Sequence, residues 1–520
     1  KNYYLHNLTI QNGHAPYASA IYRSGHNGLY LNNVHILNNL VSNPGTFDHG
    51  GAITTNGNVG AILSLIDCVI TGNNGGDKGG ALFVGGDIYI DGCIISDNET
   101  DGSGGAIYIG QYTSETTIKN SQFFNNTGNS IIRIEGEIDI ENSIVQNNSA
   151  SETVLEVPGE DFITLTNVEI TNNFGSGGGI TLRNGDIFNC TLSNNGGPSI
   201  IYNDCVYGCD DEVITISNSI LYSPGEETEI LLDVMGVSDY SELNISYSNI
   251  YGGLENIILD EDFPTINWGE GNIDTDPLFV DFIDDDFSLL ASSQCINAGD
   301  PFTYDEDNSR SDMGAYPYLN DYDGEAGWSV SADIGDDVAG TGDPNGTPFA
   351  SIQAGLNFAR DDQTVNVANG LYMENVVWPD ATYKTGVQLI GEDENTTIIN
   401  GNNVGRVMTI NEVDATSSIS GFTLTNGGNT DWGGGLFVNF SDLTVEDLRI
   451  IDNTSINYAG GVGIAGCSPH FKHVLISGNI TDVTGGGVVI YGWDGSTHHI
   501  FENVTITGNQ ASESFGEGGI

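Results

Sequence analysis

The apolar positions of this chain come in runs too short for helices. Ile88-Tyr89-Ile90 is typical, with apolar residues at alternate positions bounded by Gly, Asn and Asp. Alternation of period two predicts a short strand with one face buried, and the Gly/Asn/Asp clusters predict the turns between strands. The runs also recur. A small or apolar residue, any residue, Ile/Leu/Val/Phe and a polar stretch ending in Asn form a phrase. It opens at Val34, Cys68, Cys93, Ser121, Ser143, Val168 and Cys190. It closes at Asn39, Asn73, Asn98, Asn126, Asn148, Asn173 and Asn195, and returns later, closing at Asn453, Asn479 and Asn509. From Cys68 onward the openings lie 25, 28, 22, 25 and 22 residues apart.

A unit of about 25 residues with a few small strands cannot enclose a core alone. It buries its inward residues only by stacking on copies of itself. The pattern therefore predicts an all-β fold, a parallel β-helix solenoid, with the phrase openings in one inward column and the asparagines in an internal amide ladder. A second phrase appears at Gly50-Gly51-Ala52-Ile53, Gly79-Gly80-Ala81-Leu82, Gly104-Gly105-Ala106-Ile107 and Gly433-Gly434-Gly435-Leu436. It marks positions that need positive φ or close backbone packing. One segment breaks the pattern. Residues 348–359 read as an amphipathic helix whose Phe349, Ile352, Leu356, Phe358 and Ala359 would plug the open end of a coil stack, where a sheet edge needs cover.

Gly-Gly-Ala-Ile and the stretch from Phe123 to Asn126 resemble the repeats of chlamydial polymorphic outer-membrane proteins. More widely, the chain resembles the pectin-lyase-like β-helices of secreted bacterial surface proteins, and that resemblance implies a right-handed coil. Asp276-Pro277-Leu278-Phe279, Cys295-Ile296-Asn297-Ala298-Gly299-Asp300-Pro301 and Asp312-Met313-Gly314-Ala315-Tyr316 resemble a closing segment of such proteins; the region from Trp328 to Asn375 resembles an opening one. The expected organisation is two tandem modules: residues 1–320 as the end of a first β-helix, 321–347 as an acidic junction, and 348–520 as the capping helix and start of a second. With no initiator Met and a last residue in mid-repeat, the chain reads as a segment of a longer protein.

Charge narrows the function classes. Lys+Arg number 12 against 71 Asp+Glu, a net charge of −59. Such a surface repels nucleic acid and anionic lipid, and no apolar run is long enough for membrane insertion. The acidity suits a secreted, extracellular or cell-surface setting. It concentrates between Glu255 and Asp343, where Arg310 is the only basic residue.

The candidate chemistry is sparse. Leu82/Val84, Ile107/Ile109, Ile132/Ile134 and Leu155/Val157 would point inward, leaving Phe83, Tyr108, Arg133 and Glu156 outward on successive rungs. That row reads either as a sugar-binding strip or as an ordinary mixed sheet face. Val69, Ile94, Ile144 and Ile220 would point outward on a neighbouring face, a candidate lateral contact. Asp305, Asp307 and Asp312, with Asp321 and Asp323, have the alternate spacing of oxygen ligands for Ca²⁺; the other reading is solvated turns, and no cofactor is required. Cys205 and Cys209 are the best-placed disulfide pair, whereas Cys68 and Cys93 read as stacked free thiols. Cys467, His470 and His473 have zinc-like spacing but lack a fourth ligand.

Pectin-lyase-like folds often carry polysaccharide lyases and hydrolases. A β-eliminating lyase needs a Lys or Arg base, and only Lys78, Lys119, Arg133 and Arg183 lie in the better repeats. Asn429-Thr430-Asp431 matches the first element of polygalacturonase-like hydrolases, and the other elements do not follow it. The sequence therefore points to a structural or adhesive rod segment of a giant secreted or cell-surface bacterial protein, self-associating into a fibre. A polysaccharide lyase or hydrolase and a glycan-binding module are the alternatives.

Overall fold

The computed structural model describes residues 1–15, 20–41, 50–56, 61–110, 115–159, 161–203, 212–233, 241–259, 265–379, 384–492 and 498–512. Its strands wind as coils in which each strand pairs in parallel with its counterpart one turn away. In the first stack the described residues form sheets of 19, 11 and 2 strands; in the second, sheets of 11, 5 and 3 strands. The register follows the repeat: Ile88 pairs with Leu63 and Thr116, and Tyr108 with Phe83 and Arg133. The fold is thus an all-β parallel β-solenoid. The second stack begins at Trp328–Val330, which pairs with Thr364–Val367.

The lumen is filled by the alternating apolar residues, one continuous cluster running from Leu29 to Ile257. Beside them the phrase openings form the expected inward column, with Val34, Cys68, Cys93, Ser121, Ser143, Val168 and Cys190 all buried. Where the column carries a hydroxyl or thiol, that group accepts from the backbone N–H one coil away. Cys68 N donates to Cys93 Sγ (3.4 Å), Cys93 N to Ser121 Oγ (3.1 Å) and Ser121 N to Ser143 Oγ (3.1 Å). Cys68 and Cys93 are free thiols. Cys205 and Cys209 lie outside the described residues.

The amide ladder is continuous from Asn39 to Asn195. Each Nδ2 donates to the next Oδ1, as from Asn98 to Asn126 (3.0 Å) and from Asn126 to Asn148 (3.0 Å). The same oxygens accept a backbone N–H, as Asn126 Oδ1 does from Asn98 N (3.1 Å). Asn453, Asn479 and Asn509 repeat the scheme. The residue before each ladder asparagine has a left-handed backbone: Asn125 (φ 55°), Asn147 (55°), Asp97 (54°) and Gly72 (67°). Asn, Asp and Gly tolerate that conformation best, which is why the phrase ends in pairs such as Asn125-Asn126. At the glycine phrase, Gly79 and Gly104 take φ of 66° and 78°. A Cβ on Gly80 would sit 2.0 Å from Gly105 O, so the coils approach there as backbone on backbone.

After Thr265–Trp268 the chain leaves the coil. It forms an antiparallel hairpin, Phe279–Asp281 with Asp286–Leu289, and folds back along the flank of the first stack. Asn147 Nδ2 donates to Asp285 Oδ2 (2.8 Å), Ala315 N to Thr191 Oγ1 (3.0 Å), and Tyr316 Oη to Glu169. This corrects one expectation. Ile220 does point outward, but the returning segment covers it completely, with Gly314 packed on its side chain. Ile94 on the same flank is 37% exposed.

The helix, α1 (Ile352–Phe358), is shorter than its apolar pattern suggested, and all seven residues are buried. The reason is that it is packed between the two stacks. Its Asn357 Nδ2 donates to Ala291 O (3.0 Å) and Ser293 O (2.7 Å) of the returning segment. On the other side α1 packs on Trp328–Val330 and Thr364–Val367. Ile220, Leu289, Ala291, Cys295 and Met313 share one apolar cluster with Trp328, Phe349 and Ile352, so the junction has a core of its own.

Candidate functional site

The four residues of the outward row are brought together. Phe83, Tyr108, Arg133 and Glu156 stand in register on adjacent rungs. They also close on one another. The Phe83 and Tyr108 rings stack at 5.5 Å and 9°, Lys78 Nζ lies 4.7 Å from the Tyr108 centroid and the Arg133 guanidinium 5.8 Å from it. Arg133 forms ion pairs with Glu156 and Glu135. Tyr108 keeps only 7% of its surface in solvent. The row is a stacked and paired cluster whose central ring is covered from within the protein.

The acidic loop is organised by its own carboxylates. Asp312 is buried, and its two oxygens accept from Asn297 N (2.6 Å) and Tyr318 N (2.7 Å). Asp305 Oδ2 accepts from Asp312 N (2.9 Å); Asp307 accepts from Ser309 N (2.8 Å), Ser309 Oγ (2.6 Å) and Asn320 N (2.8 Å). Burial pushes Asp305 up to about 6 and holds Asp312 well above the ordinary carboxylate range, with each carboxylate repelling the next. Burial pushes Asp307 upward too, but its hydrogen bonds outweigh that and leave it below the usual value. Asp321 and Asp323 are exposed, and Asp323 accepts from Glu325 N (2.9 Å). Among the described residues no three His, Cys, Asp or Glu are arranged to hold a metal ion. Cys467, His470 and His473 face separate partners: Val438 O, Glu502 and Asp447.

A cleft of about 270 Å³ lies at the junction, lined by Asn297, Arg310, Gln353, Trp378, Lys384 and Glu412. Its two cations are engaged in structure. Arg310 Nε donates to Gly299 O (2.6 Å), and Lys384 Nζ donates to Leu356 O (3.1 Å) and Asn357 O (2.5 Å) at the end of α1.

The second stack presents an aromatic platform that the sequence reading did not single out. Trp432 and Tyr458 occupy equivalent turns of successive coils, bridged in register, with ring centroids 4.6 Å apart. Tyr491 meets Trp432 edge-on at 6.2 Å, and Phe437 lies 6.3 Å away. Tyr458 and Tyr491 are 38% and 47% exposed. Gly463, the rung partner of Phe437, makes room for that ring, since a Cβ there would lie 3.0 Å from Phe437 Cδ2. Arg406 pins the turn from beneath. It donates to Trp432 O (2.7 and 2.9 Å), Gly433 O (3.0 Å), Thr430 Oγ1 (3.1 Å) and Thr409 Oγ1 (3.0 Å), its guanidinium 4.6 Å from the Phe437 centroid. Burial lowers its pKa to about 10, which keeps it charged at neutral pH. Asp431 and Asn457, linked at 2.9 Å, supply an exposed polar rim. The signal was present in the spacing: Trp432 and Tyr458 are 26 residues apart, as are the phrase endings Asn453 and Asn479.

No family model and no curated protein matches the sequence. Among solved structures, the chain is similar to the PL6 family alginate lyase AlyGC, at 12% identity and a TM-score of 0.23, over 98% of this chain and 86% of that one. A mutant of the same enzyme matches at 11% identity and a TM-score of 0.24, over 98% and 97%. A superposition this loose transfers no residue role.

Proposed function

We propose that the chain is a segment of a structural and adhesive rod, secreted or at a cell surface, that holds saccharide on the Trp432–Tyr458–Tyr491 platform. The platform carries the reading. Aromatic faces pack against the C–H faces of sugars, while a neighbouring carboxylate and amide satisfy the hydroxyls. Here Trp432 and Tyr458, with Asp431 and Asn457, stand on turns whose spacing is set by the coil, and Arg406 holds the backbone of the Trp432 turn. The rod part of the reading is supported by the two polar ladders and by the cored, hydrogen-bonded junction. Self-association into a fibre belongs to the same proposal, with the flank around Ile94 as the contact and salt or Ca²⁺ screening the −59 charge.

The test is a broad glycan array followed by titration of the best ligand. Trp432→Ala is expected to weaken binding at least tenfold, the loss of one stacking ring, with little change in melting temperature. Equal binding by wild type and Trp432→Ala would remove the platform, and binding by neither would remove the adhesive role. Release of 4,5-unsaturated products from acidic glycans would instead establish the lyase alternative. Light scattering with and without Ca²⁺ reads the fibre.

A further inference from the structure

A second cleft, of about 470 Å³, lies between the flank of the first stack and the returning segment. Its floor follows a row of asparagines. Asn142, Asn167, Asn189 and Asn218 occupy the same left-handed turn of successive coils, with φ of 49°, 54°, 51° and 50°. Along the row Asn167 Nδ2 donates to Asn142 Oδ1 (2.9 Å). At its far end the returning segment is fastened to it: Asp300 N donates to Asn218 Oδ1 (2.7 Å), and Asn218 Nδ2 to Thr303 Oγ1 (3.1 Å). Beyond that fastening Asn189, Asn167 and Asn142 line the cleft with Ile144, and the returning segment adds two stretches of wall, 304–306 and 314–319. Both stretches are held in place. Tyr304 bridges to Arg310, Asp305 N donates to Ser309 O (3.1 Å), and Asp305 Oδ2 accepts from Asp312 N (2.9 Å). Tyr316 is tied through its hydroxyl to the buried Glu169, and Ala315 N to Thr191 Oγ1 (3.0 Å). Tyr304 and Leu319 are 66% and 49% exposed, so the cleft is open to solvent.

The lining combines two kinds of surface. Tyr304, Tyr316 and Leu319 offer rings and an apolar side chain, which pack on the C–H faces of a sugar. The asparagine amides and the carboxylates of Asp305 and Glu306 offer donors and acceptors for hydroxyls. The Tyr108 ring has Lys78 and Arg133 beside it, whereas no Lys or Arg lines this cleft. An acidic sugar would therefore set its charge beside Asp305 and Glu306 with no cation to compensate. The row from Asn142 to Asn189 covers three coils, about 10 Å at the spacing of adjacent strands, the length of a disaccharide. We propose that this cleft is a binding site for an uncharged disaccharide unit lying along the asparagine row. It stands on the first stack and does not rest on the Trp432 platform of the second.

The test uses the whole chain carrying Trp432→Ala, so that the platform is silent whether or not it binds sugar. Cellobiose, maltose and N,N′-diacetylchitobiose are titrated calorimetrically against it, with digalacturonate as the acidic counterpart. At least one neutral disaccharide is expected to bind and digalacturonate is not. Adding Tyr304→Ala is expected to weaken the neutral sugar about tenfold, the loss of one ring face, with the melting temperature unchanged. Glu306→Gln tests the charge separately: it keeps a hydrogen-bonding group and is expected to leave the neutral sugar bound while admitting digalacturonate several-fold better. A Trp432→Ala protein that binds none of the three neutral sugars overturns the site. So does neutral-sugar binding that Tyr304→Ala leaves unchanged, or a preference for digalacturonate before Glu306 is altered.

Discussion

At the scale of single residues, the solenoid depends on asparagine used in two ways. The first of each pair takes the left-handed turn, and the second reaches inward to bond three levels of backbone and amide. Asn126 Nδ2 donates to Asn148 Oδ1, Ile95 O (2.9 Å) and Phe124 O (3.2 Å), while its Oδ1 serves Asn98. Asn126→Ala leaves several buried groups unpaired, each costing about 1–3 kcal/mol. A loss of at least ~3 kcal/mol is therefore expected by denaturant unfolding. Asn125→Gly, by contrast, should cost little, because glycine accepts φ near 55°. The ladder was legible because the same residue type recurs at the coil period. The burial of Arg23, only 4% exposed, was not, since one cation among short alternating runs gives no sign of which face it takes.

At the scale of elements, α1 shows how a short helix is held between two stacks. Its first N–H groups are taken by Glu374, which accepts from Ile352 N (2.9 Å) and Gln353 N (3.1 Å), and by Ser351 Oγ, which accepts from Ala354 N (3.2 Å). Lys384 takes its last carbonyls, so both ends of the helix dipole meet opposite charge. Burial nevertheless raises Glu374 to about 7, and raises the fully buried Glu229 to about 7 as well. Each binds more protons folded than unfolded between the ordinary glutamate value and pH 7. The stability contributed by the protonated form is present at low pH and lost as pH rises through about 7. For Glu229 this amounts to up to about 3 kcal/mol. The melting temperature is expected to fall from pH 5 to pH 8. Glu374→Gln should flatten that slope while lowering stability at pH 5, where one N–H of α1 loses its acceptor. A melting temperature that rises over this range would contradict the assignment.

At the scale of the whole molecule, the two stacks are joined by contacts that any rod reading requires. The joint is the apolar cluster from Ile220 to Ile352 together with the Asn357 amide, which satisfies two carbonyls of the returning segment. Asn357→Leu buries those carbonyls without a donor and unties the returning segment from α1. Calorimetry is expected to show one cooperative transition in the wild type and two in this variant. Two transitions in the wild type would mean that the stacks are mechanically independent.

The sequence alone determined the coil, its period, its inward columns and the amide ladder, because each depends on alternation and repetition that are local and summed over many copies. It also placed the stacked thiols and a helix capping the open end of the second stack. Tertiary structure decided what lies against the outside of the coil. Ile220 reads as an outward apolar residue until a segment far along the chain covers it, and the same return brings Asp285 to Asn147 across 138 residues. Phe83 and Tyr108 read as outward residues of either a sugar-binding strip or an ordinary sheet face, and the fold sets Lys78 and Arg133 beside the Tyr108 ring, while Trp432 and Tyr458 become a platform through their turns rather than their strands. Alternation fixes the side of a strand on which a residue stands. What meets it there is set by contacts between segments of no common period, and only the folded chain brings those together.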